Sequence, residues 1–391
     1  MENIKLSDFL VSVAENNIRL QNANGSFPAG HNGPYYDSET PVRNSAHWCI
    51  LYAKCYELTG NEKYAQIVQK IADYLISKQS RPYGYSFHCR DKKGKDQCNG
   101  LIGPAWTFEA LVEASKITAD TKYSSIAEEV FFQHEFDETC GLWNRLEIDG
   151  SVLSVDKTFN HQLWFASCAS LIHGEKRSEI EDIVLIFLDK IPENLTIMEN
   201  GLIFHKIHEK QNFRKKMIAW GKEKARLFFT QLQNHNVSGS FMDHTVVQSI
   251  LRDEISRSVG YHSFNMYAFS MLKEEFSDHH FWNSKLFMKT VDYVLSKDYS
   301  NNLERNEYGY PYNPPGFEVP VVLFKLADLK NEEFIEMSRE WINKQLNLCY
   351  NEKTSMMDKN TADPHTHTAR FYEITRLPTK IIQKISVDLQ Q

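Results

Sequence analysis

Two short stretches carry residue types that could do chemistry together. FNHQLWFASCAS (159–170) starts with Asn160 and His161 and then runs on with the apolar spacing of a buried helix. A polar pair in the first turn of such a helix is costly to bury without partners, so it is read as lining a cleft. SRSVGYHSFNMYAFSML (256–272) sets Arg257 ahead of Tyr261 and His262. An amide, a guanidinium and an imidazole can neutralise a carboxylate, while a phenol or imidazole moves a proton at the carbon beside it. The plainer reading makes Asn160 a helix N-cap and His161 a packing group.

What must position these residues is a repeat. Segments 57–79, 116–134, 171–191 and 326–346 share a polar turn followed by a helix, and 273–299 is a looser copy. Each leads to a Gly- and aromatic-bearing segment: NGSF (24–27), YGYSFH (83–88), CGLWN (140–144), NGLIFH (200–205) and YGYPYNPP (308–315). Further apolar-periodic helices start near 43, 102, 158, 256 and 316. Apolar residues at i, i+3, i+4 and i+7 argue helix over strand. With the first helix and 363–377 counted, six helical hairpins result, joined by alternating short and long connections. The expected fold is an all-α, six-hairpin (α/α)6 toroid forming one domain over 1–391, with short β segments in the rim loops and an insertion at about 205–245. An open helical solenoid is the alternative.

The toroid would gather its long loops on one rim. Their aromatic and polar residues are Tyr35, Tyr36, Asp37, Arg43, Asn44, His47 and Trp48 in the first unit, Tyr85, His88, Arg90 and Trp106 in the second, Trp143, Asn144, Arg145, Asn160, His161 and Trp164 in the third, His205, Arg257, Tyr261, His262 and Asn265 in the fourth, Tyr310, Tyr312, Asn313 and Glu318 in the fifth, and Asp363, His365, His367, Arg370 and Tyr372 in the sixth. The residues assigned to substrate binding are Trp48, His88, Arg90, Trp143, Tyr310, His262, Asn265 and Arg370. Aromatic platforms, bidentate arginines and amides suit a polyhydroxylated, carboxylated ligand.

Bulk properties exclude other classes. A net charge of -7 gives no reason to expect nucleic acid or an anionic membrane surface as partner. No apolar run reaches the length of a membrane span. The seven Cys are odd in number and never spaced C-x-x-C, which fits a reducing compartment. The N-terminal segment lacks the features of a secretory signal, so a cytoplasmic location is expected. His365 and His367 are two apart and His279 and His280 adjacent, neither being a helical zinc spacing. No metal or cofactor is expected, and no phosphate loop, nucleophile elbow or dinucleotide fingerprint is present.

The 159–170 stretch resembles the Asn-His-aromatic helix start of the toroid-type polysaccharide lyases, the alginate lyases especially. The 256–272 stretch resembles their later helix, in which an Arg precedes a Tyr-His pair. The Arg257–Tyr261 gap is shorter here, which leaves Arg252 as a rival. The resemblance implies β-elimination on an anionic oligo- or polysaccharide, by removal of the C5 proton of a uronic acid with Asn160, His161, Arg257 and Tyr261 as the catalytic set. Asn160, Arg257 and one nitrogen of His161 would neutralise the carboxylate; Tyr261, if nearby cations lower its pKa, or else His161 would be the base. Two enzymatic alternatives stay open. A glycoside hydrolase of the same fold, such as an unsaturated glucuronyl hydrolase, would need two carboxyl groups about 5–9.5 Å apart, and Asp37, Glu39, Glu318 and Asp363 are the candidates. A uronate C5-epimerase would return the abstracted proton to the opposite face. A non-catalytic glycan-binding protein is the reading from another class.

Overall fold

The computed structural model describes residues 2–207 and 244–389. The insertion expected at about 205–245 lies, over 208–243, outside the described residues.

Hydrophobic spacing sorts the helices into two kinds. α3 (Glu62–Leu75) buries Tyr64, Ile67, Val68, Ile71, Ala72, Tyr74 and Leu75 and leaves its other face to solvent. That single stripe makes it an outer helix. Its start is fixed by Asn61, whose side chain accepts from the Lys63 amide at 3.1 Å. By contrast α6 (Phe159–Ala169) is buried at ten of its eleven positions, His161 being the exception. A helix covered on all sides belongs at the centre of a double ring.

The order along the chain is outer then inner, six times. The outer helices are α1 (Leu6–Asn17), α3, α5 (Lys122–Gln133), α7 (Arg177–Asn194), α10 (Lys285–Val294) and α13 (Asn331–Cys349). The inner helices are α2 (Val42–Thr59), α4 (Ile102–Thr118), α6, α9 (His262–Glu275), α12 (Pro315–Leu326) and α14 (Pro364–Ala369), which runs on as a 3-10 turn, Arg370–Arg376. Each inner helix packs on the next, and the 3-10 turn packs back on α2, so the ring closes. Strand β1 (Glu2–Lys5) pairs antiparallel with β5 (Ser386–Leu389), fastening the two ends of the described chain. The rim carries a small antiparallel sheet of β2 (Phe136–Asp137), β3 (Leu142–Leu146) and β4 (Val152–Val155). α8 (His244–Gly260), α11 (Lys297–Asn302) and α15 (Thr379–Ile382) complete the helices among the described residues. The fold is the (α/α)6 toroid.

One boundary departs from the expectation. Instead of a helix starting near 256, α8 stops at Gly260 and α9 starts at His262, with Tyr261 between them. Gly260 lies against Tyr308, where a Cβ would come within 2.4 Å of the Tyr308 Cβ. The close approach requires glycine, and the break turns Tyr261 toward the ring's interior.

Contacts between inner helices are aromatic and precise in their hydrogen bonding. Trp164 of α6 stacks on Phe264 of α9 at 4.3 Å, and its indole N–H donates to the Phe264 carbonyl at 3.1 Å. The seven Cys form no disulfide. Among the described residues no helix is long and apolar enough to cross a membrane.

His134, at the C-terminal end of α5, is buried against Phe165 of α6 at 4.7 Å, with Nδ1 2.8 Å from the Val130 carbonyl. Burial pushes its pKa down to about 4. The unfolded chain binds this proton near pH 6.5 and the folded one does not, so stability is lost as pH falls from 6.5 toward 4. The linkage amounts to about 2 kcal/mol by pH 5. Urea denaturation of wild type and His134→Gln at pH 8 and pH 5 should show the wild type losing about 2 kcal/mol relative to the variant on acidification; an unchanged difference would sink the assignment.

Candidate active site

At the rim end of the inner ring is a cavity of about 160 Å³. Drug-sized ligands occupy about 300–1,000 Å³, so this one suits a single sugar ring. Its polar lining comes from the first turns of the inner helices and the loops before them. Asn32, Tyr35, Asp37 and Arg43 come from the first hairpin, Arg90, Lys95, Asn99 and Trp106 from the second, and Asn160 and His161 from the third. His205, Tyr261, Tyr312, Asn313 and Arg370 complete it.

The imidazole of His161 is held from behind. Its Nδ1 lies 2.8 Å from Asp156 Oδ2, which leaves Nε2 as the cavity-side nitrogen. Asp156 also accepts the Thr158 amide at 3.0 Å and the Leu101 amide at 3.1 Å. Burial alone would raise this carboxyl, but the His161 imidazole and the amides outweigh it and hold it well below the usual carboxylate range. The second strap of the dyad is the turn Asn99–Gly100, where both residues are left-handed. A Cβ on Gly100 would lie 2.4 Å from Asp156 Oδ2 and 2.7 Å from His161 Nδ1.

A second imidazole faces the same space. The backbone of His205 is pinned to α6 and α8: its carbonyl accepts the Phe159 amide at 3.0 Å, and its amide donates to Ser258 Oγ at 3.1 Å. Its ring packs 4.5 Å from Tyr261, and Nδ1 is buried without a partner. Burial first, then the nearby His161, Arg257 and Lys206 cations, push its pKa down to about 3, so it is neutral at ordinary pH. The two imidazoles sit in different surroundings: one is backed by the Asp156 carboxylate, the other is buried against the Tyr261 ring.

Arg43 and Arg370, which face the cavity, have their carboxylates behind them. Arg43 gives Nη1 to Glu39 and to Asn32 Oδ1, each at 3.0 Å, and its guanidinium lies 4.1 Å from the centre of the Trp106 ring. Its Nε is buried with no partner. Arg370 bonds Glu318 at 2.9 Å and Glu373 at 2.6 Å, and Asn313 Oδ1 at 2.5 Å. Burial raises both of those carboxyls, and a single guanidinium faces the two. Arg90 pairs with Asp96 at 2.5 Å and lies 3.8 Å from Asp37, whose Oδ2 also takes Lys95 at 2.5 Å. Asp37 is the one carboxylate in the lining among the described residues.

Tyr261 sits in a phenol cluster, its hydroxyl 3.2 Å from that of Tyr35 and 3.3 Å from that of Tyr312. The resemblance made Tyr261 a base on the condition that nearby cations lower its pKa. The structure gives the reverse: burial, then the neighbouring phenols, raise it, and Tyr261 is a neutral O–H donor.

Asn160, His161, Tyr261, Arg90 and Arg370 therefore meet in the cavity, and Asn160 is buried with Oδ1 unpartnered. Other expected site residues do not reach it. Arg257 lies behind the Tyr35 and Tyr308 rings, at 5.5 and 5.3 Å, and bonds Asp253 at 2.9 Å. The rival Arg252 borders a separate groove on the outside. Trp48 stacks with Phe27 and Tyr52 in the core, and Trp143 packs among Phe131, Phe136, Phe165 and Phe187. Both sit in apolar surroundings that a flat hydrophobic ring fills better than water would. Tyr310 points outward against Trp341. His262 is fully buried, Nδ1 accepting the Ile203 amide at 3.4 Å and Nε2 3.0 Å from the Thr290 carbonyl. Asn265 is fully buried outside the lining, and His88 meets Gln97 at 3.4 Å away from it. Of the four hydrolase carboxylates, Glu39 and Glu318 are tied to arginines, and Asp363 accepts the His31 and Gly33 amides.

Asp156 went unnoticed in the sequence, although an acid five positions before a first-turn His was there to find. Lys95, Asn32 and Asn99 come from loops without a periodic signal. Among the described residues, the cluster with metal-ligand spacing is Asp189, His279 and His280, on the outer surface and outside the cavity.

No family model matches the chain. Over 379 residues, 95% of this chain and 97% of the relative, it is 37% identical to archaeal glycosylation protein Q of Haloferax volcanii. Among solved structures it is similar to cellobiose 2-epimerase from Bacillus thermoamylovorans B4167, with a TM-score of 0.59 and 10% identity over 94% of this chain and 98% of that one. It is also similar to an inactive α-1,6-mannanase of Salegentibacter sp. HEL1_6, with two consecutive aspartates replaced and α-1,6-mannotriose bound. That likeness has a TM-score of 0.56 and 12% identity over 96% and 99% of the two chains. These structures share the fold.

Replacing Gly100 by Ala should break the dyad, because the new methyl meets Asp156 and His161 and the backbone there has φ +62°. Thermal unfolding should show a loss of about 1–3 kcal/mol, together with disappearance of the slowly exchanging His161 Nδ1–H signal in proton NMR. Retention of that signal would count against the proposed support.

Proposed function

The chain belongs to the family of archaeal glycosylation protein Q, and on that premise we propose that it is a sugar epimerase that moves a proton at the carbon beside the carboxylate of a hexuronate. The observation that carries this reading is the make-up of the cavity: two imidazoles, one held on a carboxylate and one buried with Nδ1 unpartnered, four cationic side chains, and one carboxylate already held by two cations.

The substrate carboxylate goes to Arg43, whose Nε edge has no protein partner and whose plane is fixed by Trp106. Asn160 adds its amide. Neutralising the carboxylate lowers the cost of the enolate-like charge that develops when the adjacent C–H is broken. His205, neutral, takes the proton. His161, held on Asp156 through Nδ1, gives one to the other face of the same carbon. One C–H bond breaks and another forms, with no change of oxidation state. For the reverse reaction the two imidazoles exchange roles.

Hydrolysis is supported less well. The mannanase loses activity when two consecutive aspartates are replaced, and this sequence contains no two consecutive aspartates. A cavity of about 160 Å³ also suits a monosaccharide unit better than a long polymer. β-Elimination is the second reading, and one observation favours it: Tyr261, held as a neutral phenol, could protonate a departing glycosidic oxygen.

Incubation with free and glycosidically linked hexuronates in D2O, followed by proton NMR, separates the three. Epimerisation puts deuterium at the carbon beside the carboxylate and yields the inverted sugar. His161→Asn should slow that exchange by about 10²–10⁴-fold, while Tyr261→Phe should leave most of it. Vinyl proton signals, abolished by Tyr261→Phe, would replace epimerisation by elimination. New reducing ends without deuterium would overturn both.

A further inference from the structure

Resting on the reading of the cavity as a one-sugar site, we infer that the sugar arrives attached to a diphosphate, and that the carrier beyond it is a nucleoside. The loop from His31 to Asp37 presents two faces. Asn32, Tyr35 and Asp37 line the cavity, whereas His31 and Tyr36 stack on each other outside it, 5.2 Å apart and 6° from parallel. Tyr36 is 64% exposed, among the most exposed of the large hydrophobic side chains. It also holds φ +50°, a left-handed backbone that a bulky residue adopts at a cost. A strained, solvent-facing aromatic at a cavity mouth adds nothing to the core, and its ring is free on one side to stack.

Against this loop lies a second one, with the sequence RDKKGKD (90–96). It is fixed there by the Glu39–Arg90 bridge and by the Asp91 amide, which donates to the Ser38 carbonyl at 2.8 Å. Lys92 Nζ donates to the Tyr36 carbonyl at 3.0 Å, and Lys95 Nζ reaches Asp37 at the cavity wall. Lys92 and Lys93 are exposed, and neither pairs with a carboxylate among the described residues. The cavity lining thus offers a buried arginine for the carboxylate and Lys95, and the two loops beside it add the exposed Lys92 and Lys93 and the Tyr36 ring. A neutral glycan would use the platform but not the lysines. A sugar joined through its anomeric oxygen to a diphosphate and a base would use all of them, the phosphates on the lysines and the base on Tyr36.

Isothermal titration of the intact protein with uridine diphosphate, inorganic pyrophosphate, uridine and geranyl diphosphate tests this without any turnover. Uridine diphosphate should bind about tenfold or more tighter than uridine, and Lys92→Ala/Lys93→Ala should weaken it and pyrophosphate alike by about tenfold. Tyr36→Gly, which relieves the left-handed backbone and so keeps the fold, should weaken uridine diphosphate by about tenfold and leave pyrophosphate unchanged. Uridine diphosphate that fails to bind, or binds the variants as it binds wild type, overturns the inference. Geranyl diphosphate binding as tightly as uridine diphosphate, with Tyr36→Gly without effect on either, overturns the nucleoside and assigns the phosphates to a lipid carrier. Because binding is read alone, this pattern stands or falls separately from deuterium exchange into the sugar.

Discussion

Everything in this molecule follows from the closure of the inner ring. When the 3-10 turn after α14 packs back on α2, each inner helix has neighbours on every side and no face left for water. Polar side chains can then survive in only two ways: by pairing fully within the core, or by sitting in the first helical turn, where the ring opens at the rim. α6 shows the rule within eleven residues. Gln162, one position past the cavity, spends its amide on the Trp143 backbone, whereas Asn160 keeps Oδ1 unpaired. A buried atom without a partner is expensive, and a series of them around one cavity is what a site for a polyhydroxylated ligand requires.

The charges obey the same constraint. Arg43 and Arg370 are almost wholly buried, so each must bring its own carboxylate, and both carry them on the side away from the cavity. Breaking such a pair would leave an uncompensated charge in a low-dielectric interior. The arrangement therefore fixes the guanidinium planes before any ligand arrives, and it removes Glu39, Glu318 and Glu373 from acid-base work. What remains able to move a proton in the cavity is imidazole and phenol. Of these, Tyr35 and Tyr261 are pushed up by burial and then by neighbouring phenols, and His205 is pushed down by burial and then by nearby charges.

The sequence made the ring legible because its signals are periodic. The alternation of short and long connections gave the six hairpins, and the apolar runs gave the inner helices within a few residues, except at Gly260, where a contact with Tyr308 from another hairpin decides the break. Asn160 and His161 stood out for the same reason, as polar residues interrupting a buried pattern. The aromatics misled. Trp48, Trp143 and Tyr310 lie next to turn residues in sequence, but a Trp beside a turn serves equally to plug the layer between inner and outer helices, and composition does not separate the two uses. His262 follows Tyr261 directly, so rotation along the helix carries it into the core, where backbone groups of two other segments satisfy both its nitrogens. His205 was visible only as a rim residue, because its place depends on backbone bonds to α6 and α8 across the ring.

A scaffold of this kind separates the holding of a sugar from the reaction done to it. Cations, amides and aromatic rings on the rim can grip many glycans, and they would do so equally for a hydrolase, a lyase or an epimerase. Which bond breaks depends on the few titratable groups left uncommitted at the first turns. Glycosidic oxygen needs a carboxyl group on each side of the sugar; a carbon acid needs a base whose neutral form exists near neutral pH and a partner that is protonated there. Asp37, caught between Arg90 and Lys95, does not meet the first requirement alone. His205 and His161 are the two imidazoles of the lining, and the second is held on Asp156 through Nδ1. Because the dyad hangs on two backbone amides and a glycine with no room for a methyl group, the placing of that imidazole is built into the loop before α4 as much as into α6 itself.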